Sequence, residues 1–78
     1  MDMNDNVREV LVKIGGVLKI RRKELKISQE KLANSIGIDR KHLSAIENGR
    51  QNMTLSTLWK VCNALEITVI DVFDRMEK

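Results

Sequence analysis

An all-α fold, a compact bundle of five helices, is what this sequence predicts, and three observations carry the prediction. Apolar residues recur at spacings of three and four from Val7 onward, the period of a helix with one buried face. Proline and tyrosine are absent from the 78 residues, and the large apolar residues are mostly Leu, Ile and Val. Ser28, Asp39, Thr54 and Thr68 each stand in front of an apolar-periodic stretch as helix caps, while Gly37 and Gly49 each close one. The length suits a single domain, residues 1–78, near the lower limit for a core that folds alone.

Residues 1–6, MDMNDN, have no apolar anchor beyond Met3 and are expected to be disordered. A first helix is expected over about 7–25, with residues 7, 10, 11, 14, 17, 18 and 25 on its inward face. Gly15 and Gly16 lie within it. They serve either a close approach to a neighbouring helix or a break that leaves a short separate helix before Ile14. The helix ends in a basic run, Lys19, Arg21, Arg22, Lys23 and Lys26, and cations there complement the helix dipole. Ser28 caps a second helix over about 29–36, with Leu32, Ala33 and Ile36 inward, and Gly37 ends it in a left-handed conformation that glycine takes without steric cost. Ile38 plugs the corner. Asp39 caps a third helix over about 40–48, with Leu43 and Ile46 inward. After a polar loop, Thr54 caps a fourth over about 55–65, with Leu55, Leu58, Val61, Cys62 and Leu65 on one face. Thr68 and Asp71 have capping-box spacing at the start of a fifth helix over about 69–76, with Ile67 and Val72 placed as a hydrophobic staple.

Composition excludes several function classes. One cysteine, Cys62, leaves no internal disulfide framework and no multi-Cys zinc site, and a lone thiol suits a reducing cytoplasm. The acidic start is unlike a secretory leader, and no apolar run is long enough to span a membrane. The sequence holds no Cys–His pair, paired-carboxylate cleft, glycine-rich phosphate loop or metal cluster, so no enzyme activity, cofactor or metal is expected. The net charge is only +3, yet residues 7–50 carry eleven Lys and Arg against five Asp and Glu. That concentration suits a polyanionic partner, although a solvated charged face would give the same count.

The stretch from Ser28 to Asn52 is the informative one. Two helices that cross steeply through a short turn need a small residue at their closest contact, a residue tolerant of positive φ in the turn, and apolar residues at fixed positions. Ala33 meets the first need, Gly37 the second, and residues 32, 36, 38, 43 and 46, all Leu or Ile, meet the third. Seven matches within eighteen residues make a helix-turn-helix of the second and third helices. The outward face of the third helix then carries Arg40, Lys41, Ser44 and Ala45, with no bulky apolar residue to bury in protein. The N-terminal half of such a helix enters the major groove of duplex DNA. Arg40 can donate to guanine O6 and N7, Lys41 to guanine or a phosphate, Ser44 is a short hydrogen-bonding group, and Ala45 leaves room for a base edge or thymine methyl. Phosphate contacts are expected from the flanks: Ser28 and Gln29 at the start of the second helix, His42 on the third, and Asn48, Arg50, Gln51 and Asn52 at its exit. Ser28 and Asn48 serve equally as helix caps.

SQEKLANSIGIDRKHLSAIENGR followed by TLSTLWKVCNALEITVIDVF resembles the phage repressor and Cro class of helix-turn-helix regulators, over about residues 14–73. Ser28-Gln29, Leu32-Ala33, Gly37, Ile46-Glu47-Asn48-Gly49 and Leu65 with Phe73 are its most specific parts. The resemblance implies a lambda repressor-like domain, a homodimer on a palindromic operator, Gln29 and Asn48 on phosphates, and Arg40, Lys41 and Ala45 at base-reading positions. It also implies a structural ion pair between Arg22 and Glu47. Within the class, IDRKHLSAIENGRQNMTL and the short length are most similar to the controller proteins of restriction–modification systems, which activate or repress according to promoter occupancy. His42 stands where those proteins often have Tyr, and Met53 where Pro is usual. RNA polymerase is the further partner that transcription control implies.

Residues 66–78 are assigned to dimerisation, because Ile67, Val69, Ile70, Val72, Phe73 and Met76 exceed what one buried face needs. Phe73 and Val69 are expected in the core, and Ile67, Ile70 and Met76 in the dimer seam. An antitoxin-type regulator, or an interaction module that binds a toxin, is the competing reading of the same residues.

Overall fold

The computed structural model describes residues 5–77, and five helices run through them: α1 (Asp5–Glu24), α2 (Gln29–Ile36), α3 (Arg40–Glu47), α4 (Leu55–Ala64) and α5 (Val69–Met76). α1 packs on α3 and α5, α2 on α3 and α4, and α4 on α5. α1 already begins at Asp5, so residues 5 and 6 are helical, against the expectation of disorder; the rest of that segment, 1–4, lies outside the described residues.

Four helices start on side-chain caps. Ser28, Asp39, Thr54 and Thr68 each accept from the backbone N–H three residues on, satisfying a donor that the helix itself leaves open. At α5 the box closes both ways, because Asp71 also accepts from the Thr68 backbone N–H at 3.0 Å. Those bonds from Thr68 hold the Asp71 carboxyl below its ordinary range. Gly37 ends α2 at φ +78°. The turns after α1 and α4 are left-handed as well, at Lys26 (φ +58°) and Glu66 (φ +59°), where no glycine marks them. Arg21 closes the end of α4, its Nε donating to the Leu65 carbonyl at 2.9 Å.

α1 is continuous through Gly15 and Gly16, and the two glycines differ. A Cβ on Gly15 would collide with the backbone carbonyls of Ile46 and Glu47, whereas one on Gly16 would meet nothing. Gly15 is therefore a point where α1 and the end of α3 touch backbone to backbone. Around this contact Leu18, Leu32, Leu43, Ile46, Val61, Cys62, Leu65 and Val72 are fully enclosed. Burial pushes the Cys62 thiol above its ordinary pKa, and the charge of Asp71 adds to the shift.

Four residues assigned to buried faces are exposed instead. Val7 and Val10 lie on the first turns of a twenty-residue helix that is about 30 Å long, while its neighbours have eight to ten residues, so those turns overhang the core. Leu55 is 70% exposed because it opens α4, and helical side chains lean toward the N-terminus, which carries it past the end of the bundle. Phe73 is 45% exposed. α5 has a single inward stripe, filled by Val72 with Val69 and Met76 packed beside it, and Phe73 lies one step around the helix. Trp59, at 59% exposed, stands on the surface of α4 between two shallow hollows.

Candidate nucleic-acid interface

α2 and α3 meet through Ala33 and the Gly37 turn, where the Ile38 backbone N–H donates to the Ala33 carbonyl at 3.0 Å. With Leu43 and Ile46 buried, α3 turns its opposite side outward. Arg40 and Lys41 are exposed, and Ser44 and Ala45 are half-buried beside them. All four residues assigned to base reading thus lie on accessible surface of α3. No bulky apolar side chain stands among them.

The residues assigned to phosphates divide into two groups around α3. Ser28 and Gln29 mark the start of α2. The Ser28 hydroxyl oxygen accepts from the Lys31 backbone N–H at 3.0 Å, which leaves its own O–H free to donate outward. Arg50, Gln51 and Asn52 are exposed at the exit of α3. Asn48 folds back along the helix: its Nδ2 donates to the Ser44 carbonyl at 2.9 Å and reaches the Ser44 hydroxyl at 3.4 Å. The C-cap Asn48 and the base-reading candidate Ser44 are therefore one unit. His42 is half-buried on α3, with its backbone N–H bound by Asp39 at 2.7 Å.

Beneath this surface lies a charged pair. Arg22 Nε donates to Glu47 Oε2 at 2.7 Å and Nη2 to Oε1 at 3.2 Å, the two-pronged geometry that a guanidinium and a carboxylate favour. Arg22 Nη1 also donates to the Ile27 carbonyl at 2.7 Å, which ties the loop between α1 and α2 into the same knot. A third donor comes from Gln29, whose Nε2 lies 2.9 Å from Glu47 Oε1. Gln29 was assigned to phosphate alone, and no short-range sequence signal links positions 29 and 47. Of the basic run that closes α1, Arg22 is buried against Glu47 and Arg21 is half-buried, with its Nε on the Leu65 carbonyl and its Nη1 on Glu24, while Lys23 and Lys26 remain exposed.

A helix-turn-helix family model matches residues 18–72, which include the whole of α2, α3 and α4. This chain belongs to the helix-turn-helix family. It is 36% identical over 73 residues to the control protein C.MunI of a Mycoplasma species, a match that covers 92% of this chain and 99% of the relative. Among solved structures, the restriction-modification controller protein C.AhdI from Aeromonas hydrophila superposes with a TM-score of 0.79 at 35% identity, covering 83% of this chain and 98% of that one. The controller protein C.Esp1396I, solved as a tetramer in complex with its natural 35-base-pair operator, superposes with a TM-score of 0.77 at 30% identity over 88% of this chain and 96% of that one. This helix-turn-helix protein is a DNA-binding regulator similar to restriction–modification controller proteins. No helix among its described residues is long and apolar enough to cross a membrane.

Proposed function

We propose that this helix-turn-helix protein binds a palindromic operator as a homodimer and regulates its own promoter as the controller of a restriction–modification system. The observation that carries the reading is the outward face of α3, where Arg40 and Lys41 stand exposed in the first turn with Ser44 and Ala45 behind them. In the reading, α3 enters the major groove and these four residues contact base edges. Ser28, Gln29, His42, Asn48, Arg50, Gln51 and Asn52 hold the register on the phosphates. The similarity to control proteins, one of them solved on its own operator, supports the same assignment.

One half-site gives few contacts, and affinity and specificity both grow with their number. A two-fold pair of copies presents two α3 helices one turn of DNA apart. The dimer seam is assigned to α5, where Ile70 is 72% exposed and Phe73 stands beside it. Ile67 and Met76 are partly buried against the core and contribute their remaining edges.

The test is a gel shift on the DNA upstream of the gene, with every base of the bound site varied in turn. Arg40→Ala should lose about 1–3 kcal/mol of discrimination at one guanine per half-site. An unchanged base preference in that variant would remove Arg40 from the base-reading role, and failure of the unaltered protein to retard that DNA would count against autoregulation.

A further inference from the structure

We infer that Glu47, held by Arg22, is a positioning residue for DNA binding: it locks the Gln29 side-chain amide so that one N–H remains directed outward for a backbone phosphate. The inference rests on the reading of Gln29 as a phosphate contact, and it adds a role for two buried residues beneath that contact.

The argument starts from the amide itself. A glutamine amide carries an oxygen that only accepts and an NH2 with two donors, and the two ends are nearly the same size. On an open surface it turns freely and offers either end. An ionised carboxylate only accepts, so a carboxylate neighbour admits only the nitrogen. Gln29 Nε2 lies 2.9 Å from Glu47 Oε1, which fixes the nitrogen end toward Glu47. The two N–H bonds of the planar NH2 group diverge, so binding one inward sets the direction of the other. A phosphate needs a donor and repels a carbonyl oxygen. Glu47 thus selects the one orientation of Gln29 that suits an anion, before DNA arrives.

Glu47 can perform this task because it is itself immobile. It is 4% exposed, and Arg22 grips both of its oxygens. Arg22 is in turn 8% exposed and fixed to the Ile27 carbonyl, one residue before the Ser28 cap of α2. The same guanidinium therefore sets both the start of α2 and the carboxylate that aims its first side chain. Truncating Gln29 removes the contact, and loosening Glu47 leaves the contact in place but free to turn.

The test is a double-mutant cycle on operator affinity with a spectroscopic readout beside it. Gln29→Ala is made in the unaltered protein and in the Arg22→Met/Glu47→Leu background, which replaces the pair by apolar residues; Glu47→Gln is a second background. Folding of each is checked by circular dichroism at the binding temperature. Gln29→Ala should weaken binding about tenfold or more in the unaltered protein, the scale of a hydrogen bond to a charged group. The weakening should be equal on operator and on unrelated duplex, because a phosphate carries no sequence. In either background the same change should have a measurably smaller effect. An equal loss in all backgrounds overturns the positioning role and leaves the phosphate contact standing. No loss in any background overturns both. In the unaltered protein, labelled with 15N, one of the two Gln29 side-chain amide protons should already lie away from its free-glutamine position without DNA, and adding operator should move the other while the first stays. Both protons at their free-glutamine positions without DNA, or both moving together on adding operator, would overturn the inference without recourse to any variant.

Discussion

Glu47 is a carboxylate held inside the domain by three N–H donors, two from Arg22 and one from Gln29. Its burial is tolerable because both oxygens are satisfied and the opposite charge is adjacent; an unpaired charge in that place would carry a desolvation cost of several kcal/mol. Removing one partner should therefore be worse than removing both. Glu47→Gln is expected to lower stability by about 3–5 kcal/mol, a large share of what a domain of this size holds. Arg22→Met/Glu47→Leu is expected to stay near the unaltered protein. Urea denaturation followed by circular dichroism checks both, and an unchanged midpoint for Glu47→Gln would show that the pair is not the tie between α1 and α3. The resemblance to phage repressors named the partners of this pair, but not Gln29 as a third member. That bond joins residues eighteen positions apart, on helices whose relative placement the sequence pattern does not state.

Neighbouring residues within one element can carry opposite demands. Gly15 and Gly16 were indistinguishable as letters, and close packing and a helix break were equally open for both. In the bundle Gly15 faces the carbonyls of Ile46 and Glu47, and Gly16 faces open space. Gly16→Ala should stabilise α1 by about 0.4–1 kcal/mol, since alanine loses less conformational freedom in a helix. Gly15→Ala should destabilise in spite of the same helix propensity, because backbone carbonyls cannot yield as a flexible side chain can. Thermal melts of the two variants measure this; a gain at both positions would mean that α1 and α3 approach less closely than described. α5 gives the same lesson. Its capping box was legible from Thr68 and Asp71 because capping depends on residues three apart. Its inward stripe was not, because Val72 and Phe73 are both apolar and only the position of α1 and α4 around the helix chooses between them.

At the scale of the whole molecule, DNA reading and self-association are assigned to different surfaces. α3 carries the residues assigned to DNA, while Ile70 on α5 stands exposed on its own helix. Ile70→Asp should thus yield a folded monomer by sedimentation at micromolar concentration, with weaker operator binding but unchanged preference among bases. A strict monomer of the unaltered protein, with and without operator, would contradict the dimer.

What the sequence determined by itself was everything that depends on short spacing. The five helices, their caps, the Gly37 turn and the Ala33 contact repeat within a few residues, and local hydrogen bonding and period enforce them. The α3 face followed from the same logic, since Leu43 and Ile46 leave one side for Arg40, Lys41, Ser44 and Ala45. Tertiary structure decided what depends on where one helix ends against another. It left Leu55 and Phe73 exposed, chose Gly15 over Gly16 for the close approach, and brought Gln29 to Glu47. A helical period gives the direction of a side chain from its own axis, but burial also requires a neighbour at that place. That neighbour is supplied by the lengths and crossing of the other helices, which no local pattern encodes.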